Sequence, residues 1–202
     1  MGWLGQRDAF GDSQQRVAAG RLGMWLFLLT LGVLFASGVF AFLVVRLEAS
    51  PSAPWRTADS PGLPWVLLLS TAVLAASSVT MTRATRALAT DDRHALRVWI
   101  NRTLLLAIGF LLAQSIAWVQ MWRAGAPITS GLYAWTFYVF TALHALHVIG
   151  GIVPMAVVAR RARGGVYSRR AGAGVEYCAM YWHFLFAVWI ALYAMLLIGA
   201  AG

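Results

Sequence analysis

The sequence predicts an all-α integral membrane bundle of five transmembrane helices, amino terminus in the cytoplasm and carboxyl terminus outside. Of 202 residues, 60% are hydrophobic and only 11% are charged, where an ordinary soluble domain carries about a quarter charged residues. The mean hydropathy is +0.70. Apolar stretches recur at the length that crosses a bilayer, about twenty residues. Charged residues gather between those stretches.

Residues 1–21 read as a cytoplasmic amino-terminal tail and 22–202 as one membrane domain. The first span runs from Leu22 to Val45 without a charge. Mostly polar residues precede it, and its apolar run exceeds a signal-peptide core, so it reads as a retained helix. Prolines and glycines between Ala49 and Pro64 mark an irregular loop. The second span is Leu63 to Thr82. Thr90 or Asp91 is then the expected N-cap of a long third helix, whose span is Thr103 to Trp122. From Ala124 to Ala159 there is no Asp, Glu, Lys or Arg; the fourth span lies within Gly131 to Ala159. The fifth runs from Tyr177 to Ile198. Trp3, Trp25, Trp55, Trp65, Trp122 and Trp135 fall near predicted interfaces, where indole rings anchor helices.

The formal charge is +9 and the sequence pI is near 11.0, values that raise nucleic-acid binding. The distribution of that charge excludes it. All sixteen basic residues are arginine, and they stand between spans rather than along one helix face. Arg7, Arg16 and Arg21 precede span one. Arg83, Arg86, Arg93, Arg97 and Arg102 lie in the second loop region, and Arg160, Arg161, Arg163, Arg169 and Arg170 in the fourth. The opposite side has Arg46, Arg56 and Arg123. The positive-inside rule therefore orients the chain N-in and C-out. The single Cys178 admits no internal disulfide and reads as a small buried hydrophobe.

Polar groups within spans are expensive and usually functional. His144 and His147 stand three apart on one helix face, and Glu176 and His183 share a face of the fifth span. His147 stands as far before Arg160 as His183 stands after Arg170, roughly 20 Å along a helix in each case. His147 and His183 are therefore expected at one depth. Glu176 is expected to face the bundle interior with them, between spans four and five. A metal site made of His144, His147, His183 and Glu176 is one alternative. Against it, two histidines three apart on one helix cannot take opposite axial positions on a haem, and the widely spaced pairs of a dihaem bundle are missing. The favoured reading is an interhelical polar cluster, with Ser77, Ser78, Thr80, Gln114 and Gln120 joining helix to helix. Ala142, Ala145, Gly150 and Gly151 let a neighbouring backbone approach. Arg160, Arg161, Arg163, Arg169 and Arg170 suit anionic lipid head groups.

Three blocks of residues resemble subunit III of the haem–copper terminal oxidases. They are Arg21-Leu-Gly-Met-Trp-Leu-Phe27, the run from Thr136 to Ile149 with His144-Ala-Leu-His147, and Glu176 followed by Tyr181-Trp-His-Phe184 and Val188-Trp189. A weaker block is Pro64 with Ser77-Ser-Val-Thr80. The chain is similar to the short five-helix form of that family. The resemblance implies an accessory subunit of the bacterial cytoplasmic membrane, without haem, copper or a catalytic centre of its own. It implies packing against the haem- and copper-bearing subunit I, phospholipid held between helix groups, and support of proton uptake. The same fold accompanies nitric oxide reductase, which is the nearest alternative. Span one lacks the family's carboxylate, with Thr30-Leu31-Gly32 in its place, and Phe186 stands where members commonly have Asp. Roles resting on those acids are not carried over.

Overall fold

A computed structural model describes residues 13–48, 55–56, 60–169 and 171–201. Its elements are five helices: α1 Ser13–Leu47, α2 Val66–Ala89, α3 Arg93–Arg123, α4 Leu132–Arg163 and α5 Ala173–Ala200. All five are long and apolar enough to cross a membrane.

Neighbours in space follow the chain except at two seams. α2 packs on α3, α3 on α4, and α4 on α5, as short connections dictate. α5 then returns to α2, closing a ring of four. α1 stands outside that ring, packed chiefly along α5. It runs in the same direction as α5: Tyr177 donates to the Val17 carbonyl near one end, and Phe42 lies against Gly199 near the other.

Helix ends depart from the predicted spans. α1 begins at Ser13, inside the stretch read as tail, and α3 begins at Arg93, well before the apolar run. The N-cap of α3 is Asp92, not Thr90 or Asp91. The Asp92 carboxylate accepts from Ala95 N at 2.9 Å. Asp91 is unavailable because it turns the chain at φ 55° and accepts from the Arg169 backbone N–H. This contact ties the α2–α3 turn to the α4–α5 loop. Trp25, Trp65, Trp122 and Trp135 are exposed. Trp55 is not one of them. It is buried against Phe42 and Tyr133 and donates to the Gly199 carbonyl at 2.9 Å. Trp3 and Arg170 lie outside the described residues.

Most of the described arginines collect at one end of the bundle, where the α2–α3 turn and the α4–α5 loop meet. Arg97 Nε donates to the Ala162 carbonyl at 3.0 Å, fastening α3 to the end of α4. At the other end Arg56 stacks on Tyr133 and donates to the Ala200 carbonyl.

Candidate functional site

The α2–α5 seam is built from indoles and hydroxyls. Trp182 and Trp189 stand two turns apart on α5, and both are fully buried. Trp182 Nε1 donates to Ser77 Oγ at 3.0 Å, and Trp189 Nε1 to Thr71 Oγ1 at 2.9 Å. His183 Nδ1 shares a hydrogen bond with Ser78 Oγ at 2.8 Å. One side of α5 is thus latched to α2 by three bonds at two levels. Each such bond between membrane helices contributes about 0.6 kcal/mol, but the indoles also fill the core. Thr80 and Thr103 share a bond of 2.8 Å across α2 and α3. Ser77, Ser78 and Thr80 thus join helices as expected. Gln114 does not: it is fully buried, and neither end of its amide has a partner among the described residues. The Gln120 carbonyl oxygen is likewise buried and unpartnered.

The histidines of α4 share Phe35 as a neighbour but differ in their other surroundings. His144 is completely buried, with both ring nitrogens unpartnered among the described residues. Its ring sits 4.9 Å from Trp189, 5.6 Å from Phe110 and 6.4 Å from Phe35, measured between centroids. His147 bonds its own helix instead, through Nδ1 to the Leu143 carbonyl at 2.7 Å, with Phe35 edge-on at 5.1 Å. Tyr181 Oη donates to the His147 carbonyl at 2.9 Å, bringing α5 alongside α4 at that level. The contact is close because Gly151 offers no side chain to Tyr181 and Trp182.

Glu176 meets neither histidine. Its carboxylate accepts from Arg21 Nη2 at 2.8 Å, and the Arg21 and Glu176 side chains are 55% and 42% exposed. The expectation of an interior Glu176 fails because α1 approaches α5 at that turn and offers a guanidinium. Spacing along α5 alone cannot reveal that neighbour. At this exposure, Glu176→Gln is expected to change stability by less than about 1 kcal/mol. Thermal unfolding at low and high salt checks this, since the effect should shrink as salt screens the pair.

Among the described residues, no three His, Cys, Asp or Glu side chains gather as metal ligands would. A groove of about 570 Å³ lies between α1, α4 and α5 toward the arginine-rich end. Met24 and Phe27 form one wall, Pro154 and Val157 another, and Cys178 and Tyr181 the third. Pro154 cannot donate to the Gly150 carbonyl as its helix requires, and both residues line the groove. Arg161 and Tyr167 border it. Burial pushes the Tyr167 hydroxyl upward in pKa, partly offset by the Arg161 charge. Of the predicted arginine cluster, Arg160, Arg161, Arg163 and Arg169 are exposed. Arg163 also reaches Asn101 Oδ1 at 3.5 Å.

Five spanning helices joined by buried hydroxyls, indoles and imidazoles define a multi-pass membrane protein. Residues 6–200 match the cytochrome c oxidase subunit III family, and the chain belongs to it. It is 32% identical to cytochrome c oxidase subunit 3 of Synechocystis over 86% of this chain and 72% of that one. It is 31% identical to the probable cytochrome c oxidase subunit 3 of Nocardia farcinica, over 80% and 79%. With the Sus scrofa subunit 3 it shares 36% identity over 86% and 67%.

Proposed function

We propose that this chain is the accessory, non-catalytic subunit III of a bacterial haem–copper oxidase. In this reading it stabilises the catalytic subunit and holds a phospholipid. The observation that carries the reading is the family match, which runs from residue 6 to residue 200. Supporting it, bacterial relatives are described as cytochrome c oxidase subunit 3 and probable cytochrome c oxidase subunit 3. Haem and copper then belong to partner subunits, and this chain contributes helix surface. The groove between α1, α4 and α5 suits acyl chains along its apolar walls, with a lipid phosphate toward Arg161. The arginine asymmetry orients this end to the cytoplasm, with the amino terminus inside.

Affinity purification of the tagged chain in mild detergent tests the proposal. The preparation is expected to carry haem absorbance and copper, with partner chains identified as a terminal oxidase. A monodisperse chain without haem-bearing partners would overturn the reading. Partners of nitric oxide reductase would reassign it.

A further inference from the structure

We propose that Arg83, Trp99 and Arg102 form a site for the phosphate of an anionic phospholipid on the α2–α3 face. It is separate from the groove between α1, α4 and α5. The Arg83 guanidinium lies 4.7 Å from the Trp99 ring centroid, and that of Arg102 lies 4.6 Å from it. One indole therefore holds two positive charges no more than about 9 Å apart, a range over which like charges still repel. Among the described residues neither has a carboxylate partner. The carboxylates nearest in sequence are engaged elsewhere, Asp91 with the Arg169 N–H and Asp92 with Ala95 N. The Trp99 indole N–H also lacks an acceptor among the described residues. Two guanidiniums and an indole N–H thus present donors without an acceptor.

Their depth points to a lipid. Arg83 stands about 9 Å inside the end of α2 at Ala89, and Arg102 about 14 Å inside the start of α3 at Arg93. Both side chains are exposed. Val79 lies one turn deeper below Arg83, and Leu105 one turn deeper below Arg102; they are 52% and 68% exposed. A lipid seated here sets its phosphate between the guanidiniums and its chains along Val79 and Leu105. Arg83 and Arg102 border the predicted spans, one residue past Thr82 and one before Thr103, the level at which basic side chains reach the head-group layer. Two fixed charges with no acid nearby favour a lipid of net negative charge over a zwitterionic one.

Native mass spectrometry of the complex released from nanodiscs tests the site. The arms are phosphatidylglycerol discs, phosphatidylcholine discs, and phosphatidylglycerol discs with added inorganic phosphate. The wild-type chain is expected to retain one more phosphatidylglycerol than R83Q/R102Q, with equal phosphatidylcholine retention and no displacement by inorganic phosphate. Trp99→Leu keeps both charges and is expected to weaken retention roughly threefold or more. It also serves if the double variant does not assemble. R86Q/R93Q removes the same charge from the same end and is expected to retain the lipid as wild type does. Equal phosphatidylglycerol retention in wild type, R83Q/R102Q and Trp99→Leu would overturn the site. Displacement by inorganic phosphate would overturn the lipid assignment. Equal loss in R86Q/R93Q would show that diffuse charge, not this site, is responsible.

Discussion

Replacing Trp189 with alanine is expected to destabilise the chain by about 3–5 kcal/mol, the usual cost of truncating a large core aromatic. Trp189 is fully buried, packs edge-on to Phe110 at 5.0 Å, and lies 4.9 Å from the His144 ring. Truncation opens a cavity where α2, α3, α4 and α5 converge. It also removes the donor to Thr71 Oγ1, although that hydroxyl keeps its own bond to the Leu67 carbonyl. Trp189→Phe separates the two losses: it preserves most of the volume, so its cost is expected to be less than half as large. Thermal unfolding of the detergent-extracted complex, with the chain's abundance in membranes, measures both variants. A change below about 1 kcal/mol for Trp189→Ala would show that the seam does not depend on this ring.

Gly151→Leu is expected to separate α4 from α5. A Cβ at this position would stand 2.6 Å from Tyr181 Cε1 and 3.3 Å from Trp182 Cζ3. Trp182 is fully buried and tethered to Ser77, so it cannot yield. Relief must come from moving the helices apart, which also stretches the Tyr181–His147 bond. Overpacking of this kind costs about 1–3 kcal/mol within a core that can adjust, and this seam has little room to do so. Gly151→Ala is expected to show a smaller loss in the same direction, and Gly150→Ala little change, because there the nearest atom is Tyr181 Oη at 3.9 Å. The three unfolding temperatures, ranked in that order, are the check. A Gly151→Leu chain as stable as wild type would refute the close-packing argument.

The number and place of the helices were legible because uninterrupted apolar runs of spanning length have few other uses. Their ends were less so. Apolar character stops at the membrane boundary, but helical hydrogen bonding continues until a turn or cap interrupts it. The first turns of α1 are polar and read as tail, whereas the capping signal at Thr90 or Asp91 already put the polar start of α3 inside its helix. The site was legible in its members more than in its pairings. Ser77, Ser78 and His183 were singled out, but their contacts require α5 to return to α2, across more than a hundred intervening residues. Arg21 was visible beside the first span, yet its pairing with Glu176 needs α1 and α5 to be neighbours. His144 could be read as buried. That its ring meets Trp189, Phe110 and Phe35 depends on the rotation of four helices about their axes. Periodicity along one helix does not contain that information.

The placement of α1 outside the four-helix ring bears on how the chain is made. Of the five helices, α1 leaves the ribosome before the rest, and its main partner, α5, is made after them. Throughout translation of α2, α3 and α4, the α5-facing side of α1 must rest against lipid or an insertion factor. The contacts that close the ring and those that hold α1 both require α5, among them Arg21 with Glu176 and the Tyr177 hydroxyl with the Val17 carbonyl. α5 thus acts as the keystone of the five-helix assembly. A chain interrupted before α5 would leave α1 unclaimed, a ready signal for membrane proteases.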